Sequence, residues 1–303
     1  MPPSRDRETR GLAALAATQL GLAVLSLAFT PILFRLSELG PSASSFYRTM
    51  LAIPIFMGWL AIERRHAGGI GLRLSVTWRR EGLELFLASV FFAANILAYA
   101  WALGLTSVAN ASVISNLAPV FVSLAGFFLF GERPSRGFVA AMIAAIAGVA
   151  LLTYDKLALG GGRLLGDALA AVSAICFAGY LVVVARLRQR LVSAAIMIWI
   201  AALSAADLLV CSFLAGERLV ATTVSGWAAL LGLALVSYAL GQGLLTAALS
   251  QLSAAFSSVA LLSLPAVSAL LGWLLLGEPV DANQAIGGAI VLGGIFFARR
   301  ASR

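Results

Sequence analysis

Charge is scarce in this 303-residue chain. Asp, Glu, Lys and Arg make up 11% of it, where a soluble domain carries roughly 25%. That shortfall excludes an ordinary water-soluble fold. Histidine is nearly missing: the single His66 falls in a loop, and no H-E-x-x-H run exists. Only one carboxylate, Asp207, lies deep in an apolar run. Neither a metal site nor a catalytic acid pair can be assembled from so few groups, so no enzyme, metal or cofactor is expected. Cysteine occurs twice, as Cys176 and Cys211, both inside apolar runs. Buried helix thiols are the simpler reading and a disulfide framework is not expected. Period-two alternation is absent, so strands are not expected. Long linkers and low-complexity tracts are missing too. The net charge of +8 has no basic soluble surface to reside on, which removes nucleic acid as a partner.

What fills the space is apolar: 61% of residues are hydrophobic. Gly11 to Phe34 is uncharged for 24 residues, Leu85 to Gly131 for 47 and Leu219 to Gly277 for 59. At about 1.5 Å per residue, 24 residues cross a hydrocarbon core about 30 Å thick. Backbone groups in lipid must bond within their own segment, so the spans are helices. Ten are expected, near 11–34, 42–62, 82–103, 108–130, 136–154, 164–186, 191–214, 224–248, 252–276 and 282–299. The basic N-terminus (Arg5, Arg7, Arg10) resembles a signal peptide, but the apolar run behind it exceeds the roughly 7–15 residues of such segments and reads as an uncleaved first span. Sixteen of the 21 basic residues fall on the side of the N-terminus, four on the other, and Arg48 within a span. The bias puts both termini in the cytoplasm.

One stretch occurs twice. Ser107, Ser112, Pro119, Gly126, Gly131 and Glu132 recur as Ser253, Ser258, Pro265, Gly272, Gly277 and Glu278, each at an offset of 146 residues. A constant offset over a mid-span proline and a terminal Gly-Glu indicates internal duplication. With five spans per half, the copies must be inverted, the arrangement of secondary transporters with a site between the halves. A matched Pro119 and Pro265 in inverted halves reads as a pair of hinges, with static kinks as the alternative.

These residues resemble the drug/metabolite transporter superfamily, specifically a pair of EamA-type repeats, with Arg48 early in the second span as a further shared feature. The resemblance covers nearly the whole chain and is best over spans three to five and eight to ten. It implies an all-α integral membrane protein: ten helices in two inverted five-helix repeats, 1–155 and 156–303, around a central cavity. It further implies a transporter in the cell inner membrane that moves small metabolites outward. Amino acids, bulky hydrophobic or aromatic ones above all, are the expected substrates, as in the aromatic amino acid exporter branch (YddG type). A proton-coupled exporter of cationic drugs or polyamines is the competing expectation.

Polar groups inside spans are expensive and mark candidate sites. Arg48, beside Tyr47, either attracts a substrate carboxylate or snorkels to the outer interface. Asn95 and Tyr99 are four apart on one helix face, with Trp101 following. Asn116 accompanies Ser112, Ser115 and Pro119 on the fourth span. Tyr238 and Gln242 are again four apart, and Thr246 extends their stripe. Tyr47, Arg48, Asn95, Tyr99, Trp101, Asn116, Tyr238 and Gln242 are thus the expected cavity, aromatic and hydrogen-bonding, suited to a substrate polar at one end and flat or apolar at the other. Their alternative is helix glue. Asp207 is a candidate proton carrier. The longest loop, expected over about 63–81, is basic and holds His66.

Overall fold

The computed structural model describes residues 4–65, 75–106, 108–131, 133–152, 164–276 and 282–301. Their regular elements are helices, gathered into ten rods. The first is α1 (Ser4–Ala28) with α2 (Thr30–Leu36), the second α3 (Pro41–Met50) with α4 (Ile53–Arg65), the third α5 (Trp78–Leu105). The fourth joins α6 (Val108–Ser115) and α7 (Ala118–Phe130), and the fifth is α8 (Arg136–Leu152). Then come α9 (Leu164–Arg188) and α10 (Ser193–Leu214). The eighth rod runs without interruption through α11 (Val224–Gly232), a π-helical segment (Leu233–Gln242) and α12 (Gly243–Ala248). The ninth joins α13 (Ala254–Leu261) and α14 (Leu264–Leu276), and the tenth is α15 (Ala282–Ala301). Among the described residues, eight rods are long and apolar enough to cross a membrane. The other two are α8, which is shorter, and α15, which has a polar first turn and ends on Arg299 and Arg300.

Four rods are broken, and each break has a proline. Pro31, Pro54, Pro119 and Pro265 are the second residues of α2, α4, α7 and α14. A proline there loses no intrahelical bond, because the first N–H groups of a helix have no partner anyway. Pro119 and Pro265 therefore begin new helical segments, after breaks at 116–117 and 262–263, instead of bending continuous ones. α7 ends on Gly131, whose φ of 68° is the left-handed C-cap geometry that glycine adopts without a Cβ penalty. Ser135 caps α8 by accepting the Phe138 N–H at 3.1 Å. The other turn residues picked out by the repeat, Ser107, Glu132, Gly277 and Glu278, lie outside the described residues, as does His66.

Between helices in lipid the hydrophobic effect supplies little, so close packing and polar ties hold the bundle. α8 and α15 lie along each other. A Cβ on Gly148 would sit 2.8 Å from the Gly287 carbonyl oxygen, and one on Gly294 would sit 2.9 Å from that of Ala141. Only glycine admits that approach. α5 and α9 are the other long pair, antiparallel and tied at three levels. Thr106 donates to Asp167 at 2.7 Å, Asn95 Nδ2 donates to the Ser173 carbonyl and hydroxyl at 3.0 and 2.8 Å, and Arg190 pairs with Glu84. α1 packs on the π-helical segment and α12, while α3 and α4 pack on α10. α6 and α7 flank α9 as α13 and α14 flank α1.

Candidate functional site

The site begins with how α3 starts. Gly40 and Pro41 open the helix, and the Glu217 carboxylate, from the loop after α10, accepts the N–H groups of Ser42 and Ala43 at 3.2 and 2.7 Å. A negative group at a helix N-terminus satisfies orphan donors and meets the positive end of the helix dipole. Ser42, Ala43, Ser44, Ser45 and Thr49 are small and buried, which lets α3 sink against α10. Arg48 is thereby held inside the bundle, 6% exposed. It does not reach an interface. Its guanidinium carbon stands 5.4 Å from the ring centre of Tyr238 and 5.6 Å from that of Phe92.

Those rings extend the cage. Phe92 on α5 lies 5.5 Å from Tyr238 and 5.3 Å from Tyr180 on α9, Tyr180 lies 6.1 Å from Phe177, and Phe56 on α4 meets Tyr238 at 5.9 Å. Four elements from both halves of the chain thus supply one aromatic cluster, in which Phe92 and Tyr238 face the cation. A desolvated cation over aromatic faces gains about 2 kcal/mol, far less than its full dehydration costs. The polar atoms make that deficit explicit. Arg48 Nε, the Tyr238 hydroxyl, Gln242 Oε1 and Ser45 Oγ are all buried without a hydrogen-bond partner. Native interiors leave few such atoms, and a group of them indicates a missing ligand or water. Tyr238 and Gln242 belong to the π-helical segment, a distortion that recurs at functional sites.

The remaining expected cavity residues go elsewhere. Tyr47 lies on the same helix but packs edge-on to Trp227 at 5.2 Å, within an apolar plug with Leu39, Ala43, Leu230 and Leu233. Asn95 has its amide nitrogen committed to Ser173, as above, and serves as helix glue. Tyr99 bonds Ser112 at 3.1 Å in a separate cluster with Ala102, Ala111 and Ala170. Asn116 donates back to the Ser112 carbonyl at 2.7 Å. Trp101 is 64% exposed on α5. Asp207 is half-buried on α10, with Oδ2 covered and unpartnered. Phe92 and Tyr180 are the site residues that sequence reasoning missed: among 17 phenylalanines and five tyrosines, only mutual contact singles them out.

Two cavities open at the basic end, where α4, α9 and α15 finish. The larger, about 410 Å³, is lined by Val122 and Gly126 of α7, Val182, Ala185 and Arg186 of α9, and the 249–255 turn. The smaller, about 200 Å³, lies among α1, α4, α9 and the same turn. Along α9 the larger follows directly on Tyr180. At the opposite end two carboxylates tie elements of the first and second halves of the chain together. Besides Glu217 on α3, Glu38 accepts the Thr222 N–H and hydroxyl, each at 2.8 Å, and the Thr223 hydroxyl. Each carboxylate thus holds the start of a helix in the other half of the chain. The Thr222 N–H is the main cause that keeps the Glu38 carboxyl below the usual glutamate range. Among the described residues no three His, Cys, Asp or Glu side chains gather as metal ligands.

Long apolar helices, glycine-packed pairs and a polar box inside the bundle define an integral membrane protein of the transporter class. The chain belongs to the EamA-like transporter family, whose model matches it twice, over residues 15–154 and 164–300. It is similar to an uncharacterized transporter of Archaeoglobus fulgidus, 27% identical over 267 residues, covering 86% of this chain and 88% of that protein. It is also similar to the pseudopaline exporter CntI of Pseudomonas aeruginosa, 27% identical over 225 residues, 72% of this chain and 75% of that one. A solved crystal structure shares the fold with a TM-score of 0.78 at 20% identity, over 95% of this chain and 99% of that chain.

Proposed function

We propose that this transporter exports small zwitterionic metabolites, amino acids with bulky hydrophobic or aromatic side chains foremost, by alternating access between two inverted halves, residues 1–155 and 156–303. The observation that carries the reading is the caged Arg48: a buried guanidinium with a free Nε, faced by Phe92 and Tyr238 in one cluster with Tyr180. A carboxylate supplies the missing acceptor, and the rings receive a flat or apolar side chain. The exchange pattern of contacts supports inverted halves, since α5 on α9 corresponds to the eighth rod on α1, and α8 on α15 is its own counterpart. In this reading the termini are cytoplasmic, the basic-end cavities face the cytoplasm, and the Glu38 and Glu217 contacts are the closed outer gate. The helix breaks before Pro119 and Pro265 are where each half bends. The named relative that is a pseudopaline exporter supports outward movement of a metabolite.

The test is flux into liposomes containing only the purified protein. Labelled phenylalanine should cross without a pH gradient, and Arg48→Lys, which keeps the charge but loses the planar donor set, should lower the rate at least about tenfold. Flux of a cationic drug alone, driven by protons, overturns the reading and moves Asp207, with its unpartnered Oδ2, to the centre of the mechanism.

A further inference from the structure

The smaller cavity holds chemistry that the caged arginine does not use. Gln19, Trp59, Glu63, Arg188, Ser193 and Gln251 line its roughly 200 Å³. Glu63 is near the end of α4, and its carboxylate lies against the Ala194 N–H at the start of α10. Its Oε2 is fully covered and has no hydrogen-bond partner. Arg188 is 7% exposed and fixed in place: Nε donates to the Thr246 carbonyl at 3.1 Å, and another guanidinium nitrogen bonds the Leu191 carbonyl. Trp59 stacks on Phe56 at 6.2 Å, so its ring is a firm wall of the cavity.

A covered carboxylate oxygen without a donor is costly, and what relieves it is an N–H cation. A fixed guanidinium in the same small space asks for the opposite charge. Glu63 and Arg188 already attract one another; a plain carboxylate or a plain amine entering between them would offset one charge and leave the other unmatched, whereas a zwitterion meets both. The volume is below that of drug-sized pockets, roughly 300–1,000 Å³, and suits one molecule of amino acid size. We propose that this cavity is a second recognition site, ahead of the Arg48 cage, in which Glu63 binds the ammonium group of a small α-amino zwitterion and Arg188 faces its carboxylate. The site rests on the transport reading for its place on the substrate path. It supplies a specificity that the cage lacks, because Arg48 reads the carboxylate alone.

The experiment uses the purified full-length protein in nanodiscs carrying Ser250→Cys, an exposed residue of the cavity wall. The rate of its labelling by N-ethylmaleimide is followed with phenylalanine, phenethylammonium or 3-phenylpropionate at about 10 mM, the range of a weak site. Phenylalanine should protect best, phenethylammonium less and 3-phenylpropionate least. Glu63→Gln should weaken protection by both amines at least about tenfold and leave 3-phenylpropionate unchanged. Glu63→Asp, with the charge retained, should recover part of it. Unchanged thermal unfolding of the two variants shows that the effect is local. Equal protection in Glu63→Gln, equal protection by 3-phenylpropionate, or protection by none of the three overturns the proposal. Labelling is read on protein that is not transporting, so a chain that fails the flux assay can still pass this one, and the reverse.

Discussion

Removing Glu217 from the α3 N-terminus tests whether the end it ties is a gate. The carboxylate accepts two backbone N–H groups at 3.2 and 2.7 Å and rests on Gly40, where a Cβ would come within 2.4 Å of its carboxyl carbon. A cap of this kind contributes about 0.5–2 kcal/mol, with a few tenths more from the helix dipole at a partly exposed position. Taking about 1–2 kcal/mol as present only while the outer end is closed, Glu217→Ala should raise the population open at that end about 5–30-fold. A cysteine at Leu230, fully buried in the apolar plug beside Tyr47, reports the opening: its rate of reaction with a water-soluble maleimide follows the open population when opening and closing are fast. The rate should rise by that factor in Glu217→Ala and return toward wild type in Glu217→Asp. An unchanged or slower rate would mean that the contact persists in every state, and the gate would have to be placed elsewhere.

Three further outcomes are expected. Glu38, held below the usual glutamate range chiefly by the Thr222 N–H, has a depressed folded-state value. Its contribution is therefore complete above the unfolded value of about 4.3 and is lost only as pH falls through the lower folded value. Measured relative to a free thiol at the same pH, because the thiolate is the reacting species, labelling of the Leu230→Cys reporter should stay constant from about pH 7 to 5 and rise below about pH 4, and a rise already near pH 6 would refute the assignment. Gly148→Ala places a methyl group 2.8 Å from the Gly287 carbonyl and should lower stability in detergent unfolding by about 1–3 kcal/mol. Gly293→Ala, on α15 with nothing within 4 Å, should be neutral or stabilising by helix propensity, and equal losses at both sites would show that propensity, not packing, governs. Asn95→Ala should remove about 0.6 kcal/mol from the α5–α9 pair while phenylalanine flux is retained, and loss of flux with unchanged unfolding would return Asn95 to the substrate path.

Much of the architecture was readable before any coordinate. The uncharged runs define where helices lie, and among the described residues the expected bounds agree with those of the observed helices to within a few residues at most ends. The constant offset linking Pro119 to Pro265 reports duplication because both copies need a break at the same height. Tyr238 and Gln242 could be named because four-residue spacing puts them on one face of any helix. Reading depth was harder. Asn95 has the same spacing to Tyr99, yet one side chain bonds Ser173 and the other Ser112, since helix periodicity says which residues share a face and not what that face meets. Trp101 follows the same helix out to its exposed side. Glu63 lies just inside the expected 63–81 loop because charge normally ends a span, whereas the structure carries α4 on to Arg65 and covers one of its carboxylate oxygens.

The sequence by itself determined that this chain is a bundle of lipid-spanning helices built from a repeated unit, because hydrocarbon excludes unbonded backbone and charge wherever they occur. Tertiary structure alone decided which polar groups converge. Phe92, Tyr180 and Tyr238 come from three helices far apart in the chain, and they gather at Arg48 only because glycine contacts, small α3 residues and the Glu217 cap fix how those helices approach.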